Sequence, residues 1–191
     1  MNRSQIRSSA VATGAASLLL LSAAPAAQAA PAGPTTGPHE AEQAAAAEKC
    51  DGLTGQEAVD AWGGDLPDVT PDDGETWTAA SGQADTEHYA PCDGLSAITI
   101  RYATDQGMPS GGPGYSITML FHDGEYVGTD TAEPREWTPE VERTDEDTLA
   151  VAYPYGQATG AAGPAGHVHS TFTWNEDTQS VDHEGDVPPN A

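Results

Sequence analysis

Between Leu95 and His122 the sequence alternates with period two, and that alternation constrains the fold more than any other feature of the chain. Ile98, Ile100 and Tyr102 fall on one side of an extended segment, and Tyr115, Ile117, Met119 and Phe121 on one side of the next. His122-Asp123-Gly124-Glu125 follows. Asp-Gly between two such runs predicts a tight hairpin into Tyr126–Thr129, because both central positions tolerate positive φ. Further strands are expected at Leu149–Tyr155, at Val168–Trp174 and, after the Asn175-Glu176-Asp177 turn, at Gln179–His183.

Upstream the period changes. Thr54 with Glu57 three residues on forms a capping-box pattern. It predicts a helix from about Thr54 to Trp62, stopped by Gly63-Gly64, with Val59 and Trp62 on the face that packs on the sheet. Residues 65–91 are rich in Asp, Gly and Pro and read as an irregular loop with one short strand around Trp77. The fold class is therefore α+β: an antiparallel sheet of about five to six strands carrying one short N-terminal helix. Residues 49–188 form this single domain, with 189–191 as a tail.

The segments before the domain set the compartment. Arg3 and Arg7, the apolar stretch Ala10–Ala24 and Ala27-Gln28-Ala29 have the layout of a secretory signal, so residues 1–29 are expected to be cleaved. Residues 30–48 are a leader, first Pro-rich and then Ala-rich, without a hydrophobic stripe to dock. Loss of Arg3 and Arg7 takes the formal charge from −24 to −26, with four Lys and Arg against thirty Asp and Glu. Such a surface repels nucleic acid and anionic lipid and argues against polyanionic substrates. It reads as a solubility or salt adaptation, with a binding surface for cations or a basic partner as the sharper option. No stretch after the signal is long and apolar enough to span a bilayer.

The tetrapeptide Cys-Asp-Gly-Leu occurs at Cys50 and again at Cys92, and these are the only cysteines. The flanks do not repeat: a helical pattern follows the first copy and a strand pattern the second. Neither cysteine has the short-spaced partner of a thiolate metal site. In an oxidising compartment the pair reads as a disulfide, Cys50–Cys92, a staple whose loop-closure effect is about 4 kcal/mol. The tetrapeptide itself reflects a shared need for an Asp-Gly turn.

Met119-Leu-Phe-His-Asp-Gly-Glu-Tyr-Val-Gly-Thr129, Cys92-Asp-Gly-Leu-Ser96, the segment Thr144–Tyr153 and the strand with Phe172 and Trp174 together resemble the LppP/LprE family of actinobacterial secreted lipoproteins. The likeness spans residues 48–188. It implies an extracytoplasmic, envelope location and a domain of unknown function, with no catalytic residues to carry over. The chain departs from the family at one point. A lipoprotein needs a cysteine directly after the apolar signal segment, but Ala29-Ala30-Pro31 stands there and Cys50 lies about twenty residues later. Free secretion without a lipid anchor is the expectation.

Among chemistry-bearing residues, His167 and His169 stand at i and i+2 on a strand and share a face, as a chelating pair would. His122, or Glu87 and His88, are further ligand candidates. Against this, Val168, Phe172 and Trp174 read as the buried face, leaving both histidines in water. Asp72-Asp73-Gly74-Glu75 suggests calcium, but Val69 and Pro71 occupy positions where a calcium loop places oxygen ligands. The Gly107–Gly114 segment lacks the lysine of a phosphate loop, and no G-x-S-x-G elbow is present. Aromatic residues on a sheet can stack on sugars or an apolar partner, and Tyr153-Pro154-Tyr155 is the stretch where exposed ones are expected. The reading is a non-catalytic secreted or envelope-associated binding domain. It needs no cofactor, and its partner is an unidentified envelope component or protein. The alternative is a metal-dependent hydrolase using His167 and His169.

Overall fold

Helix α1, Gly55–Trp62, forms where the capping box places it. The Glu57 amide donates to Thr54 Oγ1 at 3.3 Å, and the Thr54 amide donates to Glu57 Oε2 at 2.8 Å. The Thr54 amide, with its hydroxyl, holds the Glu57 carboxyl below the usual carboxylate range. A 3₁₀ turn, Gly63–Asp65, ends the helix. The computed structural model describes residues 52–71, 74–107, 113–156 and 163–188, together with Pro38 and Ala41. The signal segment, nearly all of the leader, Cys50 and the Asp72-Asp73 pair lie outside the described residues.

The strands make two antiparallel sheets. The first contains β1 (Thr78–Asp85), β2 (Leu95–Ala103), β3 (Tyr115–His122) and β4 (Glu125–Thr129) in that order, with β5 (Arg135–Glu136) pairing further along β3. The second contains β6 (Glu140–Asp145), β7 (Thr148–Tyr155), β8 (Gly166–Asn175) and β9 (Ser180–Gly185) in that order. The register of β2 on β3 sets Ile98 opposite Met119 and Ile100 opposite Ile117 on one face. Ala97 opposite Leu120 and Thr99 opposite Thr118 occupy the other.

Both faces of the first sheet are covered, which is why β2 is buried at eight of its nine positions. On one side Ile98, Ile100, Tyr102, Met119 and Phe121 pack under Ala58 and Leu66, with Val59 and Trp62 against them. The Trp62 ring meets Phe121 edge-on at 5.7 Å and stacks on Tyr126 at 6.0 Å. On the other side Leu95, Ala97 and Leu120 pack against Leu149, Val151, Tyr153 and Phe172 of the second sheet. The result is three layers: helix and loop, first sheet, second sheet. Each fully buried Ile, Leu or Phe contributes roughly 1.5–3 kcal/mol.

The second Cys-Asp-Gly-Leu copy is the turn that its sequence suggests, and it ties the sheets at one corner. Gly94 has φ +62, and a Cβ there would lie 2.3 Å from the Glu146 carbonyl oxygen. The Gly94 amide donates to Asp123 Oδ1, and the Asp123 amide to the Gly94 carbonyl, both at 3.0 Å. Leu95 donates to the Glu146 carbonyl at 2.9 Å. Arg143 donates to the Asp93 and Glu146 carbonyls and faces the Asp93 carboxylate at 3.6 Å. The β3–β4 hairpin turns on Asp123 at φ 48 and Gly124 at φ 81, as Asp-Gly requires.

Two expectations need correction. A single sheet of five to six strands is replaced, among the described residues, by two sheets with nine strands; β5 and β6 are additional, and β1 is longer than the short strand expected around Trp77. Eight residues of the segment 65–91 read as irregular loop form β1, whose edge position removes the need for an apolar alternation. β6 is likewise an edge, Glu-Val-Glu-Arg-Thr-Asp, with only Val141 among its residues supplying an apolar side chain to the core. Cys92 is half-buried and is not a free thiol. Its expected partner lies outside the described residues.

Candidate functional site

A buried carboxylate organises the junction where the first sheet changes strand. Between β4 and β5 the chain leaves the ladder, and Asp130 bridges the gap. Its amide donates to the Thr118 carbonyl at 2.9 Å, and its Oδ1 accepts from the Thr118 amide at 2.9 Å, replacing a backbone carbonyl. Oδ1 also accepts from Thr131 Oγ1 at 3.3 Å, and Oδ2 accepts from the Tyr153 hydroxyl of β7 at 2.9 Å. Asp130 is only 8 % exposed and Tyr153 2 %. Burial pushes the Asp130 carboxyl above its usual range despite these donors. Burial, then the neighbouring carboxylate, pushes the Tyr153 hydroxyl up as well, so it stays a donor.

Just beyond this clip the chain forms a groove. Trp137 adopts φ 68. Its amide donates to the Gly114 carbonyl at 2.8 Å, and its own carbonyl accepts from Ser116 Oγ at 2.5 Å. The indole Nε1 donates to the Gly156 carbonyl at 3.1 Å, which draws the end of β7 beside β5. The space between is a cavity of about 370 Å³ lined by Val69, Pro71, Tyr115, residues 133–136, residues 154–156 and Pro188. That volume lies in the lower part of the range for small-molecule sites. Tyr115 is braced edge-on by Trp77 at 5.2 Å.

Tyr155 is 37 % exposed and continues the inward row Leu149, Val151, Tyr153 past the edge of the core. Its ring lies over Gly166, its cross-strand partner, where a Cβ would stand 2.8 Å from the hydroxyl oxygen. The Tyr153-Pro154-Tyr155 stretch thus divides: Tyr153 is a buried structural donor, and Tyr155 is a groove residue.

The histidines do not converge. His167 and His169 are exposed on the outer face of the second sheet, opposite Pro154 and Ala152 of β7. His122 sits between the sheets, its ring stacked on Trp174 at 4.1 Å and its Nε2 3.4 Å from Asp147 Oδ1. Trp174 is five and seven residues along β8 from the pair, roughly 17 and 23 Å, so His122 cannot join them. Among the described residues no group of three or more His, Cys, Asp or Glu stands in metal-holding geometry. His88 is half-buried, and its carbonyl accepts from the Ala97 amide, a role in the sheet margin.

Residues 87–177 match the family model described as LppP/LprE lipoprotein. The match supports the resemblance to the LppP/LprE family that the sequence carries. The match runs from just after β1 through β8 and so includes Tyr115, Arg135, Trp137 and Tyr155, while α1, β1 and β9 fall outside it. The lipoprotein family so matched implies an envelope-associated or secreted location. No curated protein and no solved structure matches the chain. Among the described residues no helix is long and apolar enough to cross a membrane.

Sequence reasoning missed Arg135 as a groove residue and Trp137 as the side chain that draws the end of β7 beside it. One available signal was the rarity of cations, which makes any arginine in this chain conspicuous.

Proposed function

We propose that this LppP/LprE-like domain is a non-catalytic binding or accessory module, secreted or held at the envelope, and that it meets its ligand at the groove beside β5. The observation that supports this is the composition of that groove: an exposed tyrosine over a glycine shelf, among proline rings and beside an arginine. Aromatic and proline surfaces of this kind bind by shape and stacking, without needing a reactive group. The test is nuclear magnetic resonance mapping of the full chain against a mixed library of small fragments. Shifts should cluster at Tyr155, Gly166 and the Trp137 indole, with every fragment recovered unchanged. Shifts centred on His167 and His169, or turnover with stoichiometric zinc lost when both are replaced, would overturn it.

We further propose that Cys50 and Cys92 are paired, which would anchor the segment before α1 to the start of β2. A peptide map of the natively exported protein should link the two Cys-Asp-Gly-Leu segments. Two freely alkylated cysteines would refute the pairing.

A further inference from the structure

The charges around the groove narrow the chemistry of its ligand. The described residues hold three arginines. Arg101 donates to Gln83 Oε1 at 2.7 Å, and Arg143 is held by the Asp93 and Glu146 carbonyls. Arg135 differs. It lines the groove, and its Nε is buried with no hydrogen-bond partner. It forms no ion pair among the described residues.

The Asp130–Tyr153 clip does not need it. Asp130 already accepts from Thr118, Thr131 and Tyr153, so the guanidinium is not required as its counter-ion. A buried donor without an acceptor is costly, and the planar guanidinium is the side chain that matches the two oxygens of a carboxylate. Glu133 and Glu136 line the same cavity. With Arg135 they leave the lining one net negative charge, so an anion is held only by direct contact with the guanidinium, and a second negative charge on it is opposed further. The tyrosine and proline rings supply a surface for a planar or apolar body.

We propose that the groove binds a small monocarboxylate with an apolar or aromatic body, its carboxylate on Arg135 and its body against Tyr155. This rests on the groove being the binding site, as above.

The test titrates the full chain with 3-phenylpropionate and with its neutral isostere 3-phenylpropionamide, followed by resonance shifts at Tyr155 and the Trp137 indole. The carboxylate should bind about tenfold more tightly than the amide. Arg135→Gln should abolish that preference without lowering Tm, and Tyr155→Ala should weaken both probes alike. Arg135→Lys, which keeps the charge and the fold if the glutamine variant does not, should retain only part of the preference. Equal binding of the two probes at the groove would overturn the carboxylate assignment and leave the groove as a site. No shift with either probe up to about 10 mM would also overturn it, while the fragment map decides the groove reading separately.

Discussion

Removing one oxygen atom tests the polar clip between the sheets. Tyr153→Phe preserves the ring packed against Leu149, Val151 and Phe172 and deletes only the donor to Asp130 Oδ2. What is lost depends on the charge of the acceptor. A bond to a neutral carboxylic acid is worth about 1 kcal/mol, and one to a buried carboxylate about 1.5–3 kcal/mol. Burial raises the Asp130 pKa above the ordinary value of about 3.9. The folded protein therefore keeps this proton to higher pH than the unfolded chain does. The stability linked to that proton is full below the unfolded pKa and is lost as pH rises through the folded one. The cost of Tyr153→Phe should accordingly grow with pH across that raised value. For a domain of roughly 140 residues it corresponds to about 3 °C of Tm at acid pH and about 8 °C once Asp130 is ionised. Thermal unfolding by circular dichroism from pH 4 to 9 measures it. Asp130→Asn, which cannot titrate, should flatten the same part of the stability curve. A Tyr153→Phe loss that is absent, or independent of pH, would refute the clip.

Gly94→Ala combines an unfavourable φ with a collision against the Glu146 carbonyl, so it should cost at least about 2 kcal/mol in denaturant unfolding. A neutral result would show that the corner does not hold the sheets together. His167→Ala with His169→Ala removes two exposed side chains and should change stability by no more than about 0.5 kcal/mol in the same assay. A larger loss would give the pair a structural or metal-binding role.

The legible parts of the fold were those whose chemistry is local. Thr54 and Glu57 specify a helix start by reciprocal hydrogen bonds three residues apart, and Asp123-Gly124 specifies a turn by φ alone; both stand where expected. β3, β7 and β8 carry enough buried side chains to show their period. β5 is two residues long and exists because Asp130 and Trp137 hold it against β3, neither of which is a local signal. The same holds for the groove. Tyr155 was legible as an aromatic near a glycine loop, but that it lines one groove with Arg135 depends on which strands lie side by side. The two-sheet division was hidden because β1 and β6, as edges, need few apolar residues.

Those edges give the acidity of the chain a specific task. β6 and β9 each pair on one side only, which leaves a row of backbone donors and acceptors open to a strand from another molecule. Glu140 and Glu142 on β6, and Asp182 and Glu184 on β9, stand exposed along those rows. Addition of a second copy edge to edge would set like charges about 5 Å apart on neighbouring strands. The carboxylates therefore act as guards against strand-by-strand aggregation, protecting a sheet whose outer face no helix covers among the described residues.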